Sequence, residues 1–215
     1  MPRLSWSSQP GPTTGPAPTR DGSGRGSALP ASRCDQGVRP VPPAPIPWVA
    51  VLMRLARSSD AAAIRDIYNA EVMGSTVTFD LVPRTLEDQR EWLEARSGAL
   101  AVVVAEDDSG EVVGFASISP YRDRPAYSTT VEDSVYIRGD QRGKGLGRAL
   151  LAEIVDVADK QGFHTVMARI VGHHTSSIEL HRSLGFDVIG VEREVGRKFG
   201  KWLDVVLMQK MLSAP

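Results

Sequence analysis

The pattern of hydrophobic and polar positions changes abruptly near residue 53, and regular periodicities continue from there to the end of the chain. Alternating or continuous apolar runs predict strands at residues 53–57, 100–106, 111–119, 130–137, 164–171, 186–194 and 202–211. Apolar residues three or four positions apart predict helices at about residues 59–72, 85–93, 146–161 and 175–184. The order β-α-α-β-β-β-α-β-α-β-β predicts an α+β fold, a mixed α/β sandwich whose central sheet carries helices on both faces.

Two polar patterns predict where the first helices begin. Ser59 and Asp60 are suited to cap the first helix, and Thr85 with Asp88 has the spacing of a capping box at the start of the second.

Residues 1–52 differ in composition from the rest of the chain. They hold eleven of the fifteen prolines, with five arginines against two aspartates. Such a stretch buries too little apolar surface to offset the entropy of ordering its backbone, which predicts a disordered tail followed by one domain at residues 53–215. The tail is interpreted as a targeting or partner-binding arm, as a spacer, or as a product of translation called upstream of Met53.

Composition narrows the class of protein. The chain is 41% hydrophobic and 24% charged, with a formal net charge of -1, which argues against a general nucleic-acid binder. The single cysteine, Cys34, has no disulfide partner in the chain and matches no metal-ligand spacing, so no metal site is expected. No apolar run approaches the roughly 18 residues of a membrane span, and we expect a cytoplasmic protein.

The most informative segment is a glycine-rich loop between a predicted strand and a predicted helix. Glycines at 143, 145 and 147 remove alternate side chains, so that consecutive backbone N–H groups can point at one anion. The helix N-terminus adds roughly half a positive charge there. Arg142, Lys144 and Arg148 add full charges, and the ligand favoured by this arrangement is a diphosphate.

Three nucleotide-binding patterns compete for this loop. A Walker A loop needs Ser or Thr after its lysine, whereas Lys144 precedes Gly145, and the dinucleotide fingerprint needs a different glycine spacing. The pattern Arg-x-x-Gly-x-Gly fits at residues 142–147. It resembles the signature with which GNAT acetyltransferases bind the pyrophosphate of coenzyme A, and a flexible basic loop is the alternative.

A second segment, residues 174–186, is similar to the same family. GNAT members commonly show Asn-x-x-Ser-x-x-Leu-Tyr/His-x-x-x-Gly-Phe here, and the match covers Ser177, Leu180, His181, Gly185 and Phe186. His174 stands where Asn is usual, and an imidazole can replace one hydrogen bond of that amide but not both.

Four further segments, residues 75–79, 124–127, 130–136 and 198–204, resemble the phosphinothricin and methionine-sulfone acetyltransferases. The resemblance implies a GNAT fold and acetyl-CoA as co-substrate. It also implies an acceptor that is the α-amino group of a small amino-acid analogue, and a homodimer paired through C-terminal strands.

The resemblance assigns the reaction to particular residues. Glu132 is implied as the base that deprotonates the acceptor amine, the alternative being a solvated carboxylate, while strand alternation turns Asp133 to the opposite face. Val135, Tyr136 and Ile137 are implied to meet the pantetheine arm through their N–H groups. His181 stands where many relatives place a tyrosine acid, and it either donates a proton to the leaving thiolate or hydrogen-bonds the cofactor. The full expected cofactor set is Val135, Tyr136, Ile137, Arg142, Gly143, Lys144, Gly145, Leu146, Gly147, Arg148, His174 and Ser177.

The expected acceptor site is formed by Arg124, Tyr127 and Phe79. Arg124 is suited to a bidentate grip on a carboxylate or phosphinate, or is a surface charge. Tyr127 and Phe79 are pocket walls or ordinary core residues, and the resemblance adds Lys198 and Trp202 as residues that shape the pocket. Two alternatives remain for the whole chain: a GNAT enzyme acting on a protein N-terminus, lysine or polyamine, and a non-catalytic module that binds acetyl-CoA.

Overall fold

The computed structural model describes residues 51–96 and 98–212, and the predicted tail lies outside them except for its last two residues. The strands are β1 (Leu52–Leu55), β2 (Val102–Glu106), β3 (Val112–Pro120), β4 (Thr130–Ile137), β5 (Thr165–Val171), β6 (Asp187–Lys198) and β7 (Lys201–Met211). The helices are α1 (Ala61–Gly74), α2 (Leu86–Glu94), α3 (Leu146–Lys160) and α4 (Thr175–Arg182). Short 3-10 turns lie at Ser58–Asp60, Pro125–Tyr127 and Gly139–Gln141. None of the helices in the described ranges combines the length and hydropathy of a membrane span.

The strands form one mixed sheet in the order β1-β2-β3-β4-β5-β7-β6. Only the β4–β5 pair among them is parallel; the other neighbours are antiparallel. The α+β class predicted from the element order is therefore confirmed.

Two hydrophobic cores cover the two faces of the sheet. Helix α1 packs Ile64, Tyr68 and Val72 onto one face, where Trp92 of α2 joins them. Helix α3 packs Leu150 and Ile154 onto the other face, together with apolar residues of α4. Helices α1 and α3 each bury one apolar stripe, as their periodicity predicted, whereas the apolar residues of α2 and α4 are partly buried.

The capping prediction is confirmed for α2. The Asp88 N–H donates to Thr85 Oγ1 at 3.1 Å, and the Thr85 N–H donates to Asp88 Oδ2 at 2.8 Å. Capping of α1 by the Asp60 side chain is wrong: this carboxylate makes no cap bond to α1 but accepts from the Arg57 N–H at 2.6 Å and from the Arg54 guanidinium. Arg54 of β1, which is partly buried, takes the oxygens that the helix end would otherwise use.

Strand β6 is longer than its predicted extent of 186–194. It continues to Lys198 because residues 196–198 pair with residues 201–203 of β7 around a turn at Phe199 and Gly200. The ladder is interrupted between Glu192 and Gly196, where Glu194 has a φ of 51°. This bulge breaks the alternation of side chains, so the pattern predicts too early an end.

The parallel pair β4–β5 opens into a fork. Pairing covers three positions and ends at Glu132 opposite Met167, although β4 continues to Ile137 and β5 to Val171. Beyond Glu132, the β5-facing edge of β4 is therefore unpaired. A cleft of about 410 Å³ occupies this fork.

Candidate active site

The glycine loop lies at the mouth of the cleft and leads directly into α3. Gly143 and Gly145 have φ values of 76° and 83°, a left-handed conformation that costs other residues about 1–2 kcal/mol. Gly145 is the N-cap of α3. A Cβ at Gly147 would lie 3.3 Å from Leu180 of α4, so this glycine lets the two helices approach. Two glycines thus serve the turn, and the third serves the packing behind it.

The N–H groups of the loop are available to a ligand. Among the hydrogen bonds of residues 51–96 and 98–212, none is donated by a backbone N–H of residues 143–147. Intrahelical bonding begins with the N–H groups of Arg148 and Ala149, which donate to the Gly145 carbonyl. A row of free N–H groups at a helix N-terminus binds an anion such as phosphate.

The basic side chains around the loop are held in different ways. Lys144 Nζ donates to Gln141 Oε1 at 2.7 Å, and Arg148 donates to the Ser183 carbonyl at 3.1 Å and to the Ser183 hydroxyl. Because Gln141 and Ser183 are neutral, they do not compensate the positive charges of Lys144 and Arg148. Lys144 is also the one predicted cofactor residue that does not line the cleft. The other eleven predicted cofactor residues line it.

Arg142 is fixed by a residue that the sequence did not single out. Its guanidinium forms an ion pair with Glu71 of α1 and donates from Nε to the Ile137 carbonyl at 3.3 Å. Glu71 is 8% exposed and also accepts a hydrogen bond of 2.6 Å from the Ser75 hydroxyl. Because 71 residues separate Glu71 from Arg142, no local pattern could have indicated this contact.

The opposite wall of the cleft is the beginning of α4. His174 is the N-cap residue of the helix, and Ser177 follows in its first turn. Burial, assisted by the nearby charge of Arg142, lowers the pKa of His174 and favours the neutral ring. A neutral imidazole offers one donor and one acceptor to a ligand in the cleft.

His181 is 4% exposed and hydrogen-bonded at both ring nitrogens. Nδ1 lies 2.7 Å from the Ser177 carbonyl, and Nε2 lies 3.1 Å from Asp133 Oδ2. Burial alone would lower the pKa of His181, but the hydrogen bond and charge of Asp133 outweigh it, and the pKa is raised. Sequence reasoning placed Asp133 on the face opposite Glu132 but missed its contact with His181, 48 residues away.

The exposed edge of β4 presents alternate backbone groups to the fork. Thr130 and Arg138 hydrogen-bond to the β3 side, so the even-numbered residues between them face β3 as well. The N–H groups of Val135 and Ile137 therefore point toward β5. The Tyr136 N–H points the other way, and its ring packs between Phe115 and Tyr68 with centroid distances of 5.2 and 5.1 Å. Of the three predicted strand residues, Val135 and Ile137 are the ones whose N–H groups suit a ligand laid along β4.

Glu132 lies where the fork begins, on the face of the sheet opposite Asp133. The charged groups that act on its carboxylate are Arg169, Asp133, Arg122 and Glu192. Burial raises the pKa of Glu132, and the nearby charge of Arg169 partly opposes that effect. A carboxylate with a raised pKa is suited to accept a proton near neutral pH.

The three predicted acceptor residues lie outside the cleft lining. Arg124 and Tyr127 are in the exposed segment between β3 and β4, where the ring of Tyr127 packs edge-on against Tyr121 at 5.7 Å. Phe79 is 40% exposed, and its ring lies against Gly196 of β6, which has no side chain to obstruct it. Lys198 is buried and donates from Nζ to the Thr78 carbonyl at 2.9 Å, which ties β6 to the segment that carries Phe79.

The cleft fits a coenzyme with a diphosphate and an amide-containing arm. The free N–H groups of residues 143–147 and the charge of Arg148, which no described acidic side chain compensates, suit the diphosphate. The unpaired edge of β4 suits an extended chain that adds to the sheet like a strand. The sequence-based expectation of acetyl-CoA therefore agrees with the shape and polarity of the fork.

Comparison with known proteins agrees with an acetyl-CoA site in this cleft. The family described as "Acetyltransferase (GNAT) domain" matches residues 53–207. An L-methionine sulfoximine/L-methionine sulfone acetyltransferase of Pseudomonas paraeruginosa is 42% identical over 162 residues, covering 75% of this chain and 94% of that protein. A phosphinothricin N-acetyltransferase of Streptomyces coelicolor is 38% identical and covers 75% and 96% of the two chains.

Solved structures show the same architecture. The crystal structure of a GNAT superfamily phosphinothricin acetyltransferase from Sinorhizobium meliloti in complex with acetyl-CoA has a TM-score of 0.74 to this chain at 38% identity, covering 76% of this chain and 89% of the other. The chain therefore belongs to the GNAT acetyltransferase family, and it is an acetyl-CoA-dependent N-acetyltransferase.

Proposed function

We propose that the protein transfers the acetyl group of acetyl-CoA directly to the α-amino group of a small amino-acid analogue of the phosphinothricin or methionine-sulfone kind. The observation that carries this proposal is the position of Glu132 at the start of the fork, beside the cleft that suits the coenzyme. The names of the relatives support the choice of acceptor.

Glu132 is the proposed general base. An amino-acid α-amine is largely protonated at neutral pH and must lose a proton before it attacks the thioester. A half-buried carboxylate whose pKa is raised by burial can take that proton directly or through a water molecule. The buried pair formed by Asp133 and His181 is on the other face of β4 and lines the cleft. Strand β4 thus lies between Glu132, the proposed base, and His181, the proposed acid.

The remaining residues of the cleft bind and orient. The N–H groups of residues 143–147, with Arg148 and Arg142, are proposed to hold the diphosphate. The N–H groups of Val135 and Ile137 are proposed to hold the extended arm, and one of them to polarise the thioester carbonyl. His174 and Ser177 close the opposite wall. When bound, the coenzyme supplies the activated acetyl group.

Arg124, Tyr127 and Phe79 are proposed to bind the acceptor. In the described part of the chain the Arg124 side chain forms no ion pair or hydrogen bond, which leaves its guanidinium free for a carboxylate or phosphinate. Phe79 and Tyr127 expose 40% and 39% of their surface and provide apolar walls. The Lys198 contact with Thr78 keeps Phe79 near β6.

We also propose a cytoplasmic homodimer. Strand β6 is an edge of the sheet and exposes an apolar set formed by Val188, Ile189, Val191 and Val195, with Phe199 and Trp202 beyond it. An unpaired edge strand with exposed apolar residues invites pairing with a second chain. The same surface adjoins Phe79 through Gly196, so a partner subunit would lie beside the proposed acceptor site.

The test is turnover with a panel of amines, followed as release of free coenzyme A thiol. Methionine sulfone and phosphinothricin should be acetylated far faster than peptides, free lysine or polyamines. Turnover confined to peptides would contradict the acceptor assignment. Absence of turnover with every amine, in protein that binds acetyl-CoA, would instead indicate a non-catalytic binding module.

A further inference from the structure

Asp133 and His181 form a buried pair in the wall of the cleft. Their side chains are 1% and 5% exposed, and Oδ2 of the aspartate lies 3.1 Å from Nε2 of the imidazole. Asp133 is the first residue of β4 beyond the last position paired with β5. The pair therefore lies at the point where the sheet opens.

The two hydrogen bonds of His181 determine where its protons are. A backbone carbonyl only accepts, so Nδ1 carries a hydrogen that it donates to Ser177 at 2.7 Å. Nε2 faces a carboxylate, and an ionised carboxylate also only accepts. One further proton must therefore lie between Nε2 and Oδ2, which makes His181 an imidazolium beside a carboxylate.

The second oxygen of Asp133 has no partner. Oδ1 is buried and takes part in no hydrogen bond with any described residue. A buried acceptor left without a donor is unfavourable, and both residues of the pair line the cleft. The wall of the cleft therefore contains an acceptor that no described residue satisfies.

We propose that Asp133 is a positioning residue that keeps the second proton on His181 and holds that proton at the fork between β4 and β5. The inference rests on the proposed function, in which a thiolate must be protonated as it leaves. When the C–S bond of the acetyl thioester breaks, its electron pair goes to sulfur, and the proton shared by Nε2 and Oδ2 moves to that sulfur. His181 is then neutral and still donates from Nδ1 to the Ser177 carbonyl, while Asp133 stays ionised. Of the two protons that the ammonium nitrogen gives up, Glu132 takes the first, and water takes the second as the tetrahedral intermediate collapses to the amide.

The charged surroundings of His181 agree with this role. Burial lowers the pKa of His181, and Asp133 from β4 raises it above its ordinary value in spite of that. His174, at the start of α4, interacts with His181, but burial lowers its own pKa and keeps it neutral. Glu132 interacts with Asp133 from the other face of the strand. Phe186 contributes a ring edge at 5.1 Å and no charge.

The test compares Asp133→Asn with the matched control Asp187→Asn, an exposed aspartate at the start of β6. Histidine titration by NMR, on protein without coenzyme, should show the pKa of His181 lower in Asp133→Asn than in the wild type. The control should leave the His181 titration unchanged. An unchanged His181 titration in folded Asp133→Asn would overturn the proposal.

Kinetics provide the second readout. In Asp133→Asn the alkaline limb of the kcat profile should move to lower pH, and kcat near pH 8 should fall by about 10-fold or more, with a smaller change in KM for acetyl-CoA. Asp133→Glu, which keeps the charge, should recover part of the rate. An unaltered kcat profile together with a shifted His181 titration would overturn the role in proton delivery.

Two further results distinguish a failure of this proposal from a misfolded variant and from a failure of the proposed function. If Asp133→Asn does not fold, nitrogen chemical shifts of His181 in the wild type still decide: both ring nitrogens should be protonated at pH 7, and a neutral ring would overturn the proposal. If the wild type acetylates no amine, the proposed function fails, whereas the NMR result on His181 stands or falls by itself.

Discussion

Glu71 and Arg142 form an ion pair that joins α1 to the glycine loop across one end of the cleft. Glu71 is 8% exposed, while its partner is largely exposed, so the carboxylate is the buried end of the contact. The pair, with the bond from Arg142 to the Ile137 carbonyl, holds the first residue of the Arg-x-x-Gly-x-Gly segment against the end of β4.

Replacing Glu71 should destabilise the protein. Glu71→Ala removes the acceptor of both the Ser75 hydroxyl and the Arg142 guanidinium, and we expect the free energy of unfolding to fall by about 1–2 kcal/mol. Glu111→Ala, which removes an exposed pair with Arg138, should change it by less than about 0.5 kcal/mol. Urea denaturation of both variants measures these losses. If Glu71→Ala loses no more unfolding free energy than Glu111→Ala, the Glu71 contacts do not stabilise the fold.

A side chain at Gly145 should destabilise the glycine loop. Because its φ is 83° at the N-cap of α3, Gly145→Ala should lower the free energy of unfolding by about 1–2 kcal/mol and weaken acetyl-CoA binding. Gly139→Ala is the control, since its φ is not in the left-handed region and a Cβ there meets no atom within 4 Å. Equal behaviour of the two variants in denaturation and binding assays would contradict the account of the loop.

The sequence predicted the elements well where local chemistry determines them. Strand β4 has the predicted bounds, 130–137, and the capping box of Thr85 and Asp88 begins α2 where expected. The glycine loop was identified because its turn, its charges and its helix start are contiguous. Periodicity and turn chemistry act over a few residues, and those features follow from them.

Contacts between distant residues could not be predicted in the same way. Asp133 and His181 are 48 residues apart in the chain, and their contact depends on how α4 packs against the sheet. Glu71 and Arg142 are 71 residues apart, and their contact depends on how α1 packs against the sheet. The buried carboxylate of Asp60 was assigned to the wrong partner for the same reason, since Arg54 reaches it from β1. No periodic signal in the sequence encodes such pairs.

The rate of acetyl transfer should depend on the ionisation of Glu132. Its pKa is raised by burial, and only the ionised form is a base, so kcat should rise with pH through that raised pKa and level off above it. Glu132→Gln should lose this limb and about 10²- to 10⁴-fold in kcat, with little change in acetyl-CoA affinity. Glu179→Gln, an exposed carboxylate on α4, is the control. Retention of the limb and the rate in Glu132→Gln would remove Glu132 from the mechanism.

The proposed dimer should depend on the exposed end of the β6–β7 hairpin. Trp202 is 61% exposed, and Trp202→Glu places a charge in the proposed interface, which should convert a dimer to a monomer in sedimentation velocity. Leu52→Glu, at a site that is 60% exposed on the opposite edge of the sheet, should leave the dimer intact. A wild-type protein that sediments as a monomer at micromolar concentration would contradict the dimer.

Calorimetric titration with acetyl-CoA and with S-acetylpantetheine, which lacks the diphosphate, tests the central claim most directly. Charge-assisted hydrogen bonds from the loop N–H groups and its cations contribute about 1.5–3 kcal/mol each, so acetyl-CoA should bind at least about 100-fold more tightly. Equal affinities for the two compounds, or no heat of binding with acetyl-CoA in folded protein, would contradict a diphosphate site at residues 143–147.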